Sequence, residues 1–155
     1  MKKTALLLSI VAMLAMLTGC LMSRPSIDAD TFKTRAEAAG YTVTDTTNIY
    51  PDGTVGICQI AVKGSDYIEY QIEFVVVPTE KQAQTIYKEK YSAYESKKGN
   101  GSSYALLSLG NFSYYRLTTN GEYYVVSRIA NTFLYVEASE GYKSEIADFI
   151  SSIGY

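Results

Sequence analysis

The sequence predicts a single two-layer α+β domain, in which an antiparallel sheet of about six or seven strands carries three helices. Residues 67–77 alternate apolar and polar side chains, as a strand with one buried and one solvated face does. Asn120-Gly121 separates two strand-like runs with the strongest short hairpin signal. Thr79 to Gln82 is a capping box ahead of an apolar stripe at helical spacing.

In the first half of the domain, the sequence predicts helix one, three strands and helix two. Asp28 is a good N-cap for helix one, and Gly40 can end that helix in a left-handed conformation. The strands are expected at 41–44, 54–63 and 67–77, with turns at 48–53 and 64–66. The buried face of the third strand is expected to hold Ile68, Tyr70, Ile72, Phe74 and Val76, and the apolar stripe of helix two Ala83, Ile86, Tyr87, Tyr91 and Tyr94.

The second half predicts a short strand, a three-stranded meander and helix three. After a surface loop at 96–103, the strands are expected at 104–109, 112–118, 122–130 and 132–138, with Ala130-Asn131 as a second tight turn. Helix three is expected over 142–153. Each half therefore orders three strands before a helix, over 41–95 and 112–153, which is compatible with duplication of a βββα unit.

The amino terminus has the layout of an export signal. Lys2 and Lys3 precede an apolar run from Ala5 to Leu17, which is too short to span a hydrocarbon core comfortably. The run ends in Leu17-Thr18-Gly19-Cys20, with a small residue directly before a cysteine. A thiol is the nucleophile that can be alkylated to a thioether, which serine or alanine cannot replace.

This segment resembles the lipobox of bacterial membrane lipoproteins. The resemblance covers the first 20 residues and implies cleavage between Gly19 and Cys20, with lipid such as diacylglycerol and palmitate on Cys20. It implies a signal peptide at 1–19, a lipidated tether at 20–27 and a single domain at 28–155, held on the outer side of the cell membrane. The alternative is an ordinary signal peptide in which Cys20 is incidental.

The composition of the remaining chain excludes several classes of function. Without residues 1–19 there are 12 basic and 16 acidic side chains, a net charge of −4, and there is no basic block for nucleic acid. The chain has no histidine, so Ser–His and Cys–His catalysis and the commonest metal ligand are absent. No cofactor is expected beyond the lipid on Cys20. Cys58 lies in an apolar run and is expected in the core.

A carboxylate pair remains conceivable as an acid and a base. Glu69 and Glu73 are expected four residues apart on the wet face of one strand, although a solvated charged face is the ordinary interpretation.

An aromatic sheet face is the stronger candidate site. With two-residue turns at 120–121 and 130–131, Leu117 pairs with Tyr124, Tyr115 and Tyr135 both flank Val126, and Arg128 pairs with Phe133. The more aliphatic face is assigned to the core beneath the helices. The other face would expose aromatic side chains around one arginine, a composition typical of interaction hot spots. The face comprises Tyr115, Tyr124, Arg128, Phe133 and Tyr135.

The ordinary alternative is that helix one or residues 96–109 cover this face, with Arg128 stacked on Phe133 or Tyr135. We therefore expect a non-catalytic envelope lipoprotein that binds a protein, peptide or glycan. A small carboxylate hydrolase or its accessory subunit, and a purely structural or assembly role, are the alternatives.

Overall fold

The computed structural model describes residues 23–64 and 67–155. The predicted signal peptide, the lipobox with Gly19 and Cys20, and part of the predicted turn at 64–66 lie outside the described residues. The helices are α1 (Ala29–Ala38), α2 (Glu80–Glu95) and α3 (Lys143–Ser152), with short 3-10 turns at Thr47–Ile49 and Glu140–Tyr142. The strands are β1 (Thr42–Asp45), β2 (Ile57–Lys63), β3 (Tyr70–Val76), β4 (Ser103–Leu109), β5 (Phe112–Thr119), β6 (Glu122–Ile129) and β7 (Thr132–Ser139).

The strands form one sheet in the order β1-β2-β3-β7-β6-β5-β4, and every neighbouring pair is antiparallel. The predicted α+β class, with an antiparallel sheet of seven strands and three helices packed on it, is confirmed. β1 and β4 are the two edges.

The tight turns set the register of the meander as predicted. Asn120 and Gly121 have φ values of 53° and 78°, the pair of positive angles that a type I′ turn requires. Leu117 faces Tyr124, Val126 faces Tyr115 and Tyr135, and Arg128 faces Phe133, so the predicted pairing is confirmed. A third hairpin joins β4 to β5 through Gly110, which has a φ of 57°.

The main core lies on one face of the sheet beneath α1 and α3. Phe32 of α1 stacks on Phe74 of β3, with ring centres 4.5 Å apart, and Phe149 of α3 meets Phe32 edge to face. The predicted strand face holds for Tyr70, Ile72 and Phe74, which are all buried. It fails for Ile68, which is 64% exposed because β3 begins only at Tyr70.

The second core lies on the opposite face, beneath α2. Its predicted stripe is confirmed: Ala83, Tyr87 and Tyr94 are buried, while Ile86 and Tyr91 are partly buried. The expectation that the helices share a single sheet face is therefore corrected, since α2 packs opposite α1 and α3. The predicted core position of Cys58 is confirmed on this side, where burial raises the pKa of its thiol.

The strand order, but not the helices, follows the pattern of a duplicated βββα unit. β1-β2-β3 and β5-β6-β7 meet through β3 and β7, as a twofold axis perpendicular to the sheet would arrange them. Such an axis preserves the faces of the sheet, so it would place α2 and α3 on the same side. They lie on opposite sides.

Candidate functional site

The predicted binding face is assembled as expected but is covered. Tyr115 is fully buried, and Arg128 and Phe133 are each 3% exposed, because α2 lies across them. Tyr124 is also buried and Tyr135 is partly buried. The prediction of an exposed aromatic face is wrong and the covered alternative is confirmed, although the cover is α2 rather than helix one or residues 96–109.

Two polar contacts hold the ends of α2 on this face. At its start, the Arg128 guanidinium donates to Glu80 at 3.0 Å, to the carbonyl oxygen of Ala130 at 3.1 Å and to the hydroxyl of Ser113 at 3.5 Å. At its end, the Tyr115 hydroxyl donates to Glu95 at 2.7 Å. Burial, and then this hydrogen bond, raise the pKa of Tyr115 above its usual value. These residues therefore fasten a helix.

Lys90 of α2 places a cation over Tyr135, one of the aromatic rings of this face. Its Nζ lies 3.7 Å from the ring centre of Tyr135, which stacks on Phe133 with ring centres 6.2 Å apart. The predicted stacking of Arg128 on Phe133 or Tyr135 is therefore wrong. The cation over Tyr135 is a lysine of the covering helix, while Arg128 is engaged with Glu80.

Edge strand β4 carries four of the seven large apolar side chains that are exposed within residues 23–64 and 67–155. Its neighbour β5 is largely buried, but neither α2 nor the helices of the other face cover β4, whose residues are all exposed or partly exposed. We call this surface the apolar edge; it comprises Tyr104 (60% exposed), Leu106 (53%), Leu107 (47%) and Leu109 (45%).

The apolar edge has side chains on both faces of the sheet. Leu106 and Tyr104 lie on the α2 side beside Tyr115 and Leu117, while Leu107 and Leu109 lie on the other side. Contiguous exposed apolar residues of this kind mark interaction sites more often than isolated ones do.

The backbone of β4 also has unpaired hydrogen-bonding positions. The two-residue turn closes with Leu109 opposite Phe112, so alternate residues of β4 direct their N–H and C=O groups toward β5. The intervening residues Tyr104, Leu106 and Ser108 direct theirs away from the sheet. An extended polypeptide pairs with such groups in strand addition.

None of the usual devices that protect an edge strand is present on β4. The strand has seven residues, none of them charged and none of them proline, and it pairs continuously with β5 without a bulge. Two charges flank the strand: the Nζ of Lys98 lies 3.3 Å from the ring centre of Tyr104 and 2.5 Å from Glu95, and Arg116 faces Ala105 from β5.

The amino-terminal segment contacts the same end of the sheet. The Asn111 side chain accepts from the backbone N–H of Arg24 and donates to its carbonyl oxygen, both at 2.8 Å. The Arg24 guanidinium lies 3.9 Å from the ring centre of Phe112. Part of the predicted tether is therefore fixed at the β4–β5 turn, beside Leu109.

The carboxylate near Glu73 is Glu137, whereas the sequence had indicated Glu69. Glu69 precedes β3, so it does not share a strand face with Glu73. Glu73 instead lines a cavity of about 230 Å³ together with Glu137, Lys90, Gln71 and Tyr135. The hydroxyl of Tyr135 donates to Glu73, and the amide of Gln71 donates to it at 3.5 Å.

Within residues 23–64 and 67–155, no group of three or more His, Cys, Asp or Glu side chains is placed to hold a metal ion. None of the helices in this part of the chain has the length and hydropathy needed to cross a membrane.

Comparisons with known proteins add a distant structural likeness. No family model and no curated protein matches the chain. A crystal structure of a GTP binding regulator from Thermotoga maritima is similar, with a TM-score of 0.49 and 20% sequence identity, over 85% of this chain and 89% of that one.

Sequence reasoning missed the apolar edge although the strand itself was expected. The signal lies in Tyr104-Ala105-Leu106-Leu107, which lacks the polar residues that alternate along a half-buried strand. Such a run is equally typical of a strand buried on both faces. β4 is an edge strand that α2 does not cover, and this placement decides between the two interpretations.

Proposed function

We propose that the chain is a lipid-anchored protein of the cell envelope with a binding rather than a catalytic role. In this proposal Cys20 is the lipid attachment site, residues 1–19 are the signal peptide, and the domain works outside the cytoplasm. The binding surface is the apolar edge, which receives an extended segment of polypeptide by strand addition. The covered face around Tyr115 and Arg128 has no part in binding.

The observation that carries the binding proposal is the exposure of β4. A seven-residue strand with four exposed apolar side chains and unpaired backbone groups is a template for another strand. An edge strand of this kind promotes aggregation unless a partner strand pairs with its backbone groups.

The fixed end of the tether supports the same proposal. Arg24 is held at the β4–β5 turn, and three residues lie between it and Cys20, which allows a reach of at most ~14 Å over the four steps. An anchor at Cys20 would keep the apolar edge close to the bilayer, where it meets other anchored proteins.

Replacing Cys20 tests the anchor. Cys20→Ala removes the nucleophile, so incorporation of labelled palmitate and membrane fractionation are both expected to be lost. Cys58→Ala is the matched control because Cys58 is a buried core thiol, and this variant should keep the label. Unchanged fractionation of the Cys20 variant would contradict the anchor.

A photoreactive residue tests the edge. Placed at Leu106 in intact cells, it is expected to form covalent adducts with polypeptide, because this position is half-exposed at the centre of β4. The same group at Thr44, which is exposed on the other edge strand, serves as the control. Equal adduct yields at the two positions would remove the apolar edge as a binding site.

A carboxylate hydrolase is the second candidate function, supported by the cavity that Glu73 and Glu137 share. Tyr135 faces Glu73 across the β3–β7 pair, so Glu137 is the diagonal neighbour of Glu73, at about 7–8 Å. Paired carboxylates in glycosidases have separations of this size. This candidate predicts hydrolysis of fluorogenic glycosides that Glu73→Gln abolishes and Glu122→Gln retains. Equal rates for wild type and Glu73→Gln would contradict it.

A further inference from the structure

We propose that the partner of the apolar edge is a second copy of this chain. The two β4 strands would pair in antiparallel fashion and join two seven-stranded sheets into one. This inference rests on the proposed function, in which β4 is the docking edge, and it names the occupant.

The sequence of β4 is complementary to itself in an antiparallel pair. The strand runs from Ser103 to Leu109, so its midpoint is Leu106, and full overlap places Leu106 opposite Leu106 of the second copy. Ala105 then faces Leu107, and the large residues at the ends face serines. Large side chains therefore lie opposite small ones away from the axis, and the pair has no steric crowding.

Charge does not oppose this pairing. No residue of β4 is charged, so no like charges face one another across the axis, whereas self-pairing of charged edge strands is repulsive. A partner of different sequence with Lys, Arg, Asp or Glu in the pairing segment would leave that charge against leucine.

The backbone positions fit the same register. Leu106 directs its N–H and C=O groups away from β5, as do Tyr104 and Ser108, which would face one another across the axis. A pair centred on Leu106 thus uses every outward-facing residue of the strand. Moving the centre of the pair by one residue leaves one of these three residues opposite a position outside the strand.

The symmetry axis is compatible with two anchored chains. Antiparallel pairing in one sheet requires a twofold axis perpendicular to the sheet, which keeps the faces of both copies on the same sides. Arg24 lies over Phe112 on the face that carries α1 and α3, so both tethers leave from that face. The two β4–β5 turns are then separated by the length of the strand, ~24 Å.

The interface is small, so confinement to a membrane matters. From their exposures, the four apolar side chains offer roughly 400 Å² per copy, about 800 Å² in the pair before backbone is counted, which is below the ~1,200 Å² at which stable specific interfaces begin. Such a contact is weak in dilute solution, and anchoring in one bilayer raises the effective concentration of the two domains.

Disulfide cross-linking of the full chain in its membranes tests the inference. Leu106→Cys is expected to form a covalent dimer on oxidation, because opposite residues of a hydrogen-bonded antiparallel pair have Cα atoms ~5.5 Å apart, which suits a disulfide. Thr44→Cys on β1 is the matched control, and its cross-linking is expected to be at least about tenfold slower. The unsubstituted chain, whose Cys58 is buried, gives the background.

A register test adds specificity. Tyr104→Cys and Ser108→Cys chains are expected to cross-link with each other when mixed, and each to cross-link poorly with itself. Equal cross-linking at 106 and 44, or efficient self-cross-linking of Tyr104→Cys, would overturn the proposed pairing. A mixed disulfide at 106 with a different protein would overturn the second copy as occupant while supporting the proposed function. Loss of all adducts at 106 would overturn both, and the Cys20 result is independent of each.

Discussion

The two edge strands of the sheet differ in how they limit pairing with other chains. β1 has four residues with a terminal Asp45, and its one apolar side chain, Val43, packs against the main core. β4 has seven residues, no charge, and four exposed apolar side chains. A short polar edge discourages pairing with other chains, whereas a long apolar edge invites it. Of the two edges, β4 is therefore the one at which we propose pairing with another strand.

A second contrast separates β4 from its neighbour β5. Tyr104 and Tyr115 lie on adjacent strands with ring centres 6.5 Å apart, yet Tyr104 is 60% exposed and Tyr115 is fully buried. The reason is α2, which reaches β5 through the Tyr115–Glu95 hydrogen bond and extends no further. The edge of this helix is therefore the boundary between the buried and the exposed part of this sheet face.

Alkaline pH should have the largest effect, because it acts on buried tyrosines of both covered faces. Burial raises the pKa of Tyr87, on the buried face of α2, and of Tyr155, in the main core, to about 12. Since the unfolded value is ~10, the stability from each is complete below pH 10 and is lost between about pH 10 and 12. We expect cooperative unfolding in that window, followed by circular dichroism and tyrosinate absorbance. Gradual ionisation without loss of structure would contradict the burial.

The second largest effect is expected from truncating Tyr115, whereas truncating its neighbour Tyr104 should have little effect on stability. Tyr115→Ala is expected to lower the free energy of unfolding by about 3–5 kcal/mol, because it leaves a cavity and removes the partner of Glu95. Tyr104→Ala should change it by no more than ~0.5 kcal/mol. Urea denaturation measures both. Similar values for the two variants would show that α2 does not divide the sheet as described.

A smaller loss of stability is expected from a conservative substitution of Arg128. Arg128→Lys should cost about 1–3 kcal/mol of unfolding free energy, because an ammonium cannot contact Glu80, Ala130 and Ser113 together. Arg116→Lys is the control: Arg116 is exposed on the adjacent strand, and its effect should stay within ~0.5 kcal/mol. A neutral Arg128→Lys in urea denaturation would mean that the guanidinium does not fasten α2.

Much of the fold follows from local signals in the sequence. The turns at Asn120-Gly121 and Ala130-Asn131 determine the register of three strands, since a hairpin of fixed loop length admits one pairing. The apolar stripe of α2 and the cap at Thr79 determine that helix and its start. These features depend on residues close together in the chain.

The site could not be predicted in the same way. A helical stripe shows that α2 has a buried face, but both faces of β5, β6 and β7 are apolar enough to receive it. The packing of α2 depends on Arg128 and Tyr115 meeting Glu80 and Glu95, which are distant in sequence. Burial of the aromatic face follows from that placement, so contacts between residues distant in sequence reversed the exposure predicted for this face.

Hydrogen exchange at the centre of β4 tests the account most directly. The amide of Leu106 faces away from β5, while that of Leu107 bonds within the sheet and serves as the internal reference. We expect Leu106 to exchange rapidly in dilute protein and to become protected as concentration rises, with Leu107 protected throughout. Exchange at Leu106 that is independent of protein concentration would contradict the claim that β4 is an edge completed by a second chain.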